Sequence, residues 1–227
     1  MKNKRKDLEE SSVSYTSSIA DLMSGMLMIF ILLFVFVILT SNREIKKKED
    51  IISSFTVVKS KIIDKVIYAF KENNIAIDID MDTGSIKIDE KLLFANNDYK
   101  LKPEGKEYLK KFIPVYVKIL VLDKSVRDEV SQVIIEGHTD DVGSYIFNME
   151  LSQKRSFEVL RYIYSEMGDF AGKTEFEKYV TANGKSKVNL IYDKDGKVDR
   201  DKSRRVEIKF KLKEEETLKK IQKLLQE

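Results

Sequence analysis

Residues 22–39, LMSGMLMIFILLFVFVIL, carry no charged side chain. Extended back over Ser18, Ile19 and Ala20, the run reaches the roughly 20 residues that a helix needs to cross a hydrocarbon core. It predicts a transmembrane helix over 18–40, with the lipid bilayer as its solvent. A cleavable secretory signal is the rival reading, because Lys2, Lys4, Arg5 and Lys6 precede the run as a basic n-region does. The run is too long for a signal, however, and Thr40, Ser41, Asn42 and Arg43 offer no small-x-small cleavage site. An uncleaved anchor is therefore expected, after a short N-terminus at 1–17. Arg43, Lys46, Lys47 and Lys48 follow the run, so basic residues flank both ends and charge bias leaves the orientation open.

The 227 residues leave room for one domain of roughly 130 to 150 residues besides the anchor. Charged residues make up 35% of the chain yet the net charge is only +3. Lysines and arginines are thus interspersed with acids, and no basic stripe for direct nucleic-acid binding is expected. The absence of cysteine excludes disulfides and thiolate metal sites, and a single histidine, His138, argues against a zinc cluster. With no nucleophile constellation or phosphate loop, no enzyme and no cofactor is expected. After a charged stretch at 43–50, Ile51, Phe55, Val58, Ile62, Val66 and Ala69 recur at helical spacing, which predicts an amphipathic connector over 41–73. Such a helix either packs on the domain or on a second copy, or serves as a plug.

Strands and helices alternate beyond residue 74. Residues 75–80 and 86–88 flank the turn residues Asp82-Thr83-Gly84-Ser85 and predict a hairpin. Pro103 opens a helix over 104–120 that buries Leu109, Phe112, Ile113, Tyr116 and Ile119. A strand at 132–136, a helix at 150–167 closing near Gly168, and a strand at 178–182 follow. Val206, Ile208, Phe210 and Leu212 then alternate with charges in a strand over 204–212, ahead of a charged helical tail at 214–227. The pattern is α+β, a βαβαβ-type domain over 74–213 behind one membrane helix. Asp193-Lys194-Asp195-Gly196 lacks the spaced oxygen ligands and terminal glutamate of a calcium loop and reads as a turn.

Residues 134–160, IIEGHTDDVGSYIFNMELSQKRSFEVL, together with LLFANNDYKLKPEG at 92–105 and RRVEI at 204–208, resemble the OmpA-like family of OmpA, the lipoprotein Pal and the stator subunit MotB. Several separated motifs in the right order make the resemblance specific. It implies a peptidoglycan-binding domain in which the aspartate and arginine at Asp140 and Arg155 grip the diaminopimelate of a stem peptide. A carboxylate suits the ammonium of that zwitterion, and the planar arginine fork suits its carboxylate. A salt bridge between Asp140 and Arg155 is the alternative. Thr139 and Asn148 lie in the same motif, where each can touch ligand or cap a turn. Ser152 and His138 read as structural. The sequence departs from the family pattern in two places, with no proline after Gly184-Lys185-Ser186 and with Ser203 in place of an asparagine, and neither touches Asp140 or Arg155.

Asp21 opens the uncharged run. It reads either as the cap of the helix or as an ionisable group placed in the membrane for ion passage. Asp21, Ser24, Gly25 and Met28 share one helix face, where small residues admit a neighbouring helix. Asp21 within SSIADLMSGMLMIFILLF, followed by an OmpA-like domain, resembles MotB-type stator subunits, and DLMSGMLMIF most resembles the version found in Zorya anti-phage systems. The resemblance implies a homodimer inside a ring of a multi-pass MotA- or ZorA-like protein, with Asp21 carrying H+ or Na+ along a path lined by Ser24 and Gly25. It also implies a bacterial inner-membrane location with the N-terminus cytoplasmic and the domain periplasmic. A flagellar stator or a passive tether to the wall is the alternative.

Overall fold

The computed structural model describes residues 2–213, with side chains described over 19–47, at Ser53 and over 55–213. The tail expected at 214–227 lies outside the described residues. The chain divides into two compact units, Met1–Ser54 and Phe55–Glu227.

Helix α1, Lys2–Glu72, supplies the whole of the first unit and the opening of the second. Within it, Ile19–Lys47 is long and apolar enough to cross a membrane, with a mean hydropathy of 3.0. Its large apolar side chains from Leu22 to Leu39 are exposed all round, so within this unit the helix has no core to face. Thr40 ends the run by returning its hydroxyl to the carbonyls of Phe36 and Val37. Because the helix is already formed at Lys2, Asp21 lies inside it, and the cap reading of Asp21 falls.

The second unit begins at Phe55, well before residue 74. Ile62, Ile63, Val66 and Phe70 of α1 are core residues, with Phe55, Val58 and Ala69 packed partly buried beside them. The Phe70 ring lies 4.8 Å from Phe112 and 6.5 Å from Tyr116. The last turns of the expected connector thus belong to the domain's own core.

The remaining elements, in chain order, are β1 (Asp78–Ile79), β2 (Ile86–Asp89), α2 (Glu90–Leu93), α3 (Pro103–Val117), a wide π-type turn at Lys118–Leu122, α4 (Lys124–Arg127), β3 (Val130–His138), α5 (Tyr145–Ser165), α6 (Lys173–Phe176), β4 (Val180–Gly184), α7 (Arg200–Ser203) and β5 (Arg205–Leu212). The strands form one sheet in the order β1-β2-β5-β3-β4. β3 and β4 are parallel and joined through α5, whereas β5 runs antiparallel between β2 and β3. Val133 and Ile135 of β3 join Val206, Ile208, Phe210 and Leu212 of β5 in the core. Period-two alternation turns Glu136, His138, Arg205, Glu207 and Lys209 to the other face.

Two glycines set the separation of α5 from the sheet. A Cβ on Gly137 would stand 2.2 Å from the Ser152 carbonyl oxygen, and one on Gly184 would stand 2.6 Å from the Gln153 amide nitrogen. Only bare backbone fits there, so α5 lies directly on the ends of β3 and β4. α5 also begins earlier than the expected residue 150, capped by Ser144, whose hydroxyl accepts from the Phe147 amide at 3.2 Å. Its first residues, Tyr145, Ile146 and Phe147, are exposed and give no periodic apolar signal.

Candidate functional site

β3 ends at His138, and Thr139 and Asp140 follow directly into the loop before α5. That loop is held from several sides. The Asp140 carboxylate accepts the Val142 amide at 3.0 Å, and Asn148 donates its side-chain amide to the Val142 carbonyl at 2.8 Å. The Thr139 amide donates to Ser186, and the Ser186 amide to Ser152 Oγ at 2.9 Å. Ser186 closes the gap without a proline by adopting a positive φ of 51°. Ser203, where an asparagine was expected, is fully buried and accepts the Ile191 amide at 2.9 Å.

These elements enclose a cavity of about 440 Å³ whose walls include all four residues expected there, Thr139, Asp140, Asn148 and Arg155. Glu90, Asn96, Asn97, Arg200 and Arg204 line it as well. Arg155 stands about three turns inside α5, deeper than a helix starting at residue 150 would put it, because the helix starts at Tyr145. Asn148, from the first turn, brings the positive end of the helix dipole to the cavity wall.

Asp140 and Arg155 do not pair with each other. Arg155 is 2% exposed and donates through both terminal nitrogens to Glu90, at 2.7 and 2.9 Å. Its Nε donates to the Asp98 carbonyl at 2.9 Å, and its guanidinium lies 5.4 Å from the centre of the Phe94 ring. Asp140 instead accepts from Arg204 Nη1 at 2.6 Å. Arg204 also holds Asp201, and its Nε lies 3.9 Å from Glu90. The charges therefore form a chain: Arg155, Glu90, Arg204, Asp140. Burial raises the pKa of the Glu90 carboxyl against the pull of Arg155 and Arg204, and lowers that of the Arg155 guanidinium against the pull of Glu90. At Arg204 burial also opposes the charge, but Asp140, Glu90 and Asp201 outweigh it. Arg200, at the rim, pairs with Asp141 at 2.8 Å.

Glu90 and Asp140 thus face Arg155 and Arg204 across one small space, with Arg200 at the rim offset by Asp141, an arrangement that suits a ligand carrying both an ammonium and a carboxylate. Glu90 and Arg204 are the members that the sequence reading did not assign. Arg204 lies in the RRVEI motif, and Glu90 stands two residues before the first leucine of the LLFANN motif.

A second buried cluster lies on the polar face of the sheet. Donor atoms of Glu136, His138 and Glu207 come within 4.8 Å of one another, a set that can ligate a metal. Each carboxylate already holds a cationic side chain, Lys209 and Lys185 on Glu136 and Arg205 on Glu207. A divalent ion would leave this cluster strongly positive, so the residues fit an internal ion network better than a metal centre. His138 Nδ1 lies 3.2 Å from the Val188 carbonyl and ties β3 to the 185–199 loop. Asp193 turns its carboxylate onto the amides of Asp195 and Lys197, with Gly196 at a positive φ, closing the turn expected there.

In the first unit, Asp21, Ser24 and Gly25 are exposed on α1, and a Cβ on Gly25 would meet nothing within 4 Å.

The OmpA family model matches residues 93–204, which carry the Asp140 loop, Arg155 and Arg204. The second unit is OmpA-like in fold. It is also similar to the Zorya protein ZorB of Escherichia coli strain Crooks, 29% identical over 203 residues that cover 85% of each chain. The ZorB of Escherichia coli O139:H28 is 25% identical over 217 residues, covering 91% of this chain and 84% of that one. Such coverage is more than Phe55–Glu227 can hold, so the ZorB likeness reaches beyond the second unit into Met1–Ser54. Among solved structures, a putative MotB-like protein from Desulfovibrio vulgaris shares the fold, with a TM-score of 0.50 at 20% identity over 70% of this chain and 94% of that one.

Proposed function

We propose that this chain is the wall-anchored, ion-carrying subunit of an inner-membrane motor of the Zorya anti-phage type. The observation that carries the proposal is the extent of the ZorB likeness, which is too long for the second unit alone and so takes in part of the membrane-length helix as well as the OmpA-like domain. The balanced pocket at Asp140 and Arg155 supports the anchoring half: a stem-peptide diaminopimelate presents the ammonium and carboxylate that these charges complement. That ligand sets the orientation, with the domain periplasmic and the N-terminus cytoplasmic.

The motor half rests on Asp21. An ionisable side chain in a membrane helix is costly and marks an ion path by default. In the proposed assembly two copies stand inside a ring of a multi-pass MotA- or ZorA-like protein, and the open space at Gly25 admits a ring helix beside Asp21. Each carboxyl takes up a proton or sodium ion on one side and gives it up on the other. Every charge that crosses contributes roughly 2.3 kcal/mol per 100 mV, enough to bias a stepping rotation when binding and movement are coupled. The protein on this reading binds and positions, and performs no covalent chemistry.

Asp21→Asn in cells carrying the intact system tests it. Loss of phage protection, with membrane insertion, partner co-purification and sacculus retention unchanged, is the expected result. Full protection would reduce the chain to a passive tether, and loss of swimming in place of protection would make it a flagellar stator.

A further inference from the structure

The pocket's cations are already satisfied before any ligand arrives, and the way they are satisfied bears on selectivity. A guanidinium has two faces that can grip a carboxylate bidentately. On Arg155 the face formed by the two terminal nitrogens holds Glu90, and Nε of the other face holds the Asp98 carbonyl. The guanidinium itself is fixed by that carbonyl and by the Phe94 ring. Asp98 contributes backbone, whereas Glu90 contributes a side chain that can turn. Glu90 opens the one-turn helix α2, and its amide is tied to the Arg204 carbonyl at 3.2 Å. Its carboxylate therefore lies between two guanidinium groups, bonded to Arg155 and 3.9 Å from Arg204.

We infer that Glu90 is an internal stand-in for the ligand's carboxylate and that a zwitterion enters the pocket by exchange of partners. The ligand carboxylate takes Arg155, Glu90 passes to Arg204, and Asp140, released by Arg204, takes the ligand ammonium. Every charge is paired before and after, so no buried ion is left uncompensated, the outcome that makes breaking one member of a buried pair so costly. A ligand with a carboxylate and no ammonium leaves Asp140 without a partner and cannot complete the exchange. Glu90 is thus a specificity-determining residue that makes access to Arg155 conditional on the positive charge. The raised pKa of its buried carboxyl agrees with a group held against its own desolvation.

The inference rests on the wall-binding reading, and one experiment separates the two. The full chain in detergent is co-sedimented with diaminopimelate-type sacculi and with the same sacculi N-acetylated to remove the free ammonium. Wild type retains the native sacculi and binds the acetylated ones about tenfold or more weakly. Glu90→Gln, which leaves Arg155 open to a lone carboxylate, loses most of that discrimination. A Glu90→Gln protein that is folded by circular dichroism and discriminates as wild type does overturns the inference and leaves wall binding intact. Wild type that ignores native sacculi overturns wall binding itself. Should Glu90→Gln fail to fold, Glu90→Asp decides: it keeps the charge and shortens the reach, weakened discrimination supports the exchange, and unchanged discrimination overturns it.

Discussion

Gly137 on β3 lies against the Ser152 carbonyl of α5 so closely that an added Cβ would stand 2.2 Å from the oxygen. This contact fixes how far Arg155, on the same helix, stands from Asp140, three residues beyond Gly137. Gly137→Ala must push the helix off the strand. Overpacking of this kind costs about 1–3 kcal/mol, so a denaturant melt is expected to show that loss together with weaker retention on sacculi. A variant of wild-type stability would mean that α5 yields freely.

The Arg155–Glu90 pair sets a second expectation. Removing one partner of a buried pair costs about 3–5 kcal/mol, whereas replacing both with apolar residues is far milder. Arg155→Met should therefore destabilise strongly, and Arg155→Met combined with Glu90→Leu should recover most of the stability while still failing to bind sacculi. Additive losses in that cycle, read from thermal melts, would mean that the two residues do not act as a pair.

At the far end of the charge chain, Asp140→Ala frees Arg204 and removes the carboxylate assigned to the ammonium. Retention on native sacculi is expected to fall about tenfold or more, with a smaller loss of stability than Arg155→Met, because Arg204 keeps Asp201 although the Val142 amide loses its acceptor. Unchanged retention would return Asp140 to a loop-fixing role.

Acid stability should report the cluster beneath the sheet. Burial alone would push the Glu136 carboxyl up, but His138, Lys209 and Lys185 outweigh it and hold the pKa at about 2. Glu207, likewise pushed up by burial, is held low by Arg205, His138 and Ser85. A carboxyl depressed in the folded state stabilises the fold above its unfolded pKa, near 4.3, and that contribution is lost as the pH falls toward the folded value. For Glu136 it is on the order of 3 kcal/mol. Stability measured by denaturant melts should decline from about pH 4.5 downward, and Glu136→Gln should flatten the decline; an equally steep decline in that variant would remove Glu136 as its source.

The pocket was partly legible in the sequence because Thr139, Asp140, Asn148 and Arg155 lie on one strand–loop–helix segment whose motif is continuous. Glu90 and Arg204 were not assigned because they reach the cavity from distant parts of the chain, and an acid in KIDEKLL reads as surface charge until the fold buries it to 5% exposure. The strands and the long helices followed from periodicity. The short helices α2, α4, α6 and α7 span four residues each, too few for any helical period to register. The start of α5 was read late because its exposed aromatic first turn imitates a loop. The connector's spacing was visible, but periodicity alone does not say what an apolar face packs against. Here Ile62, Val66 and Phe70 meet the domain itself.

That seating of α1 decides how a pull is borne. Ile62, Ile63, Val66 and Phe70 wedge the last turns of the helix among the aromatic rings of α3, so tension along its axis must shear a broad interlocked surface all at once. A molecule moored at one end and loaded at the other would carry its strain there.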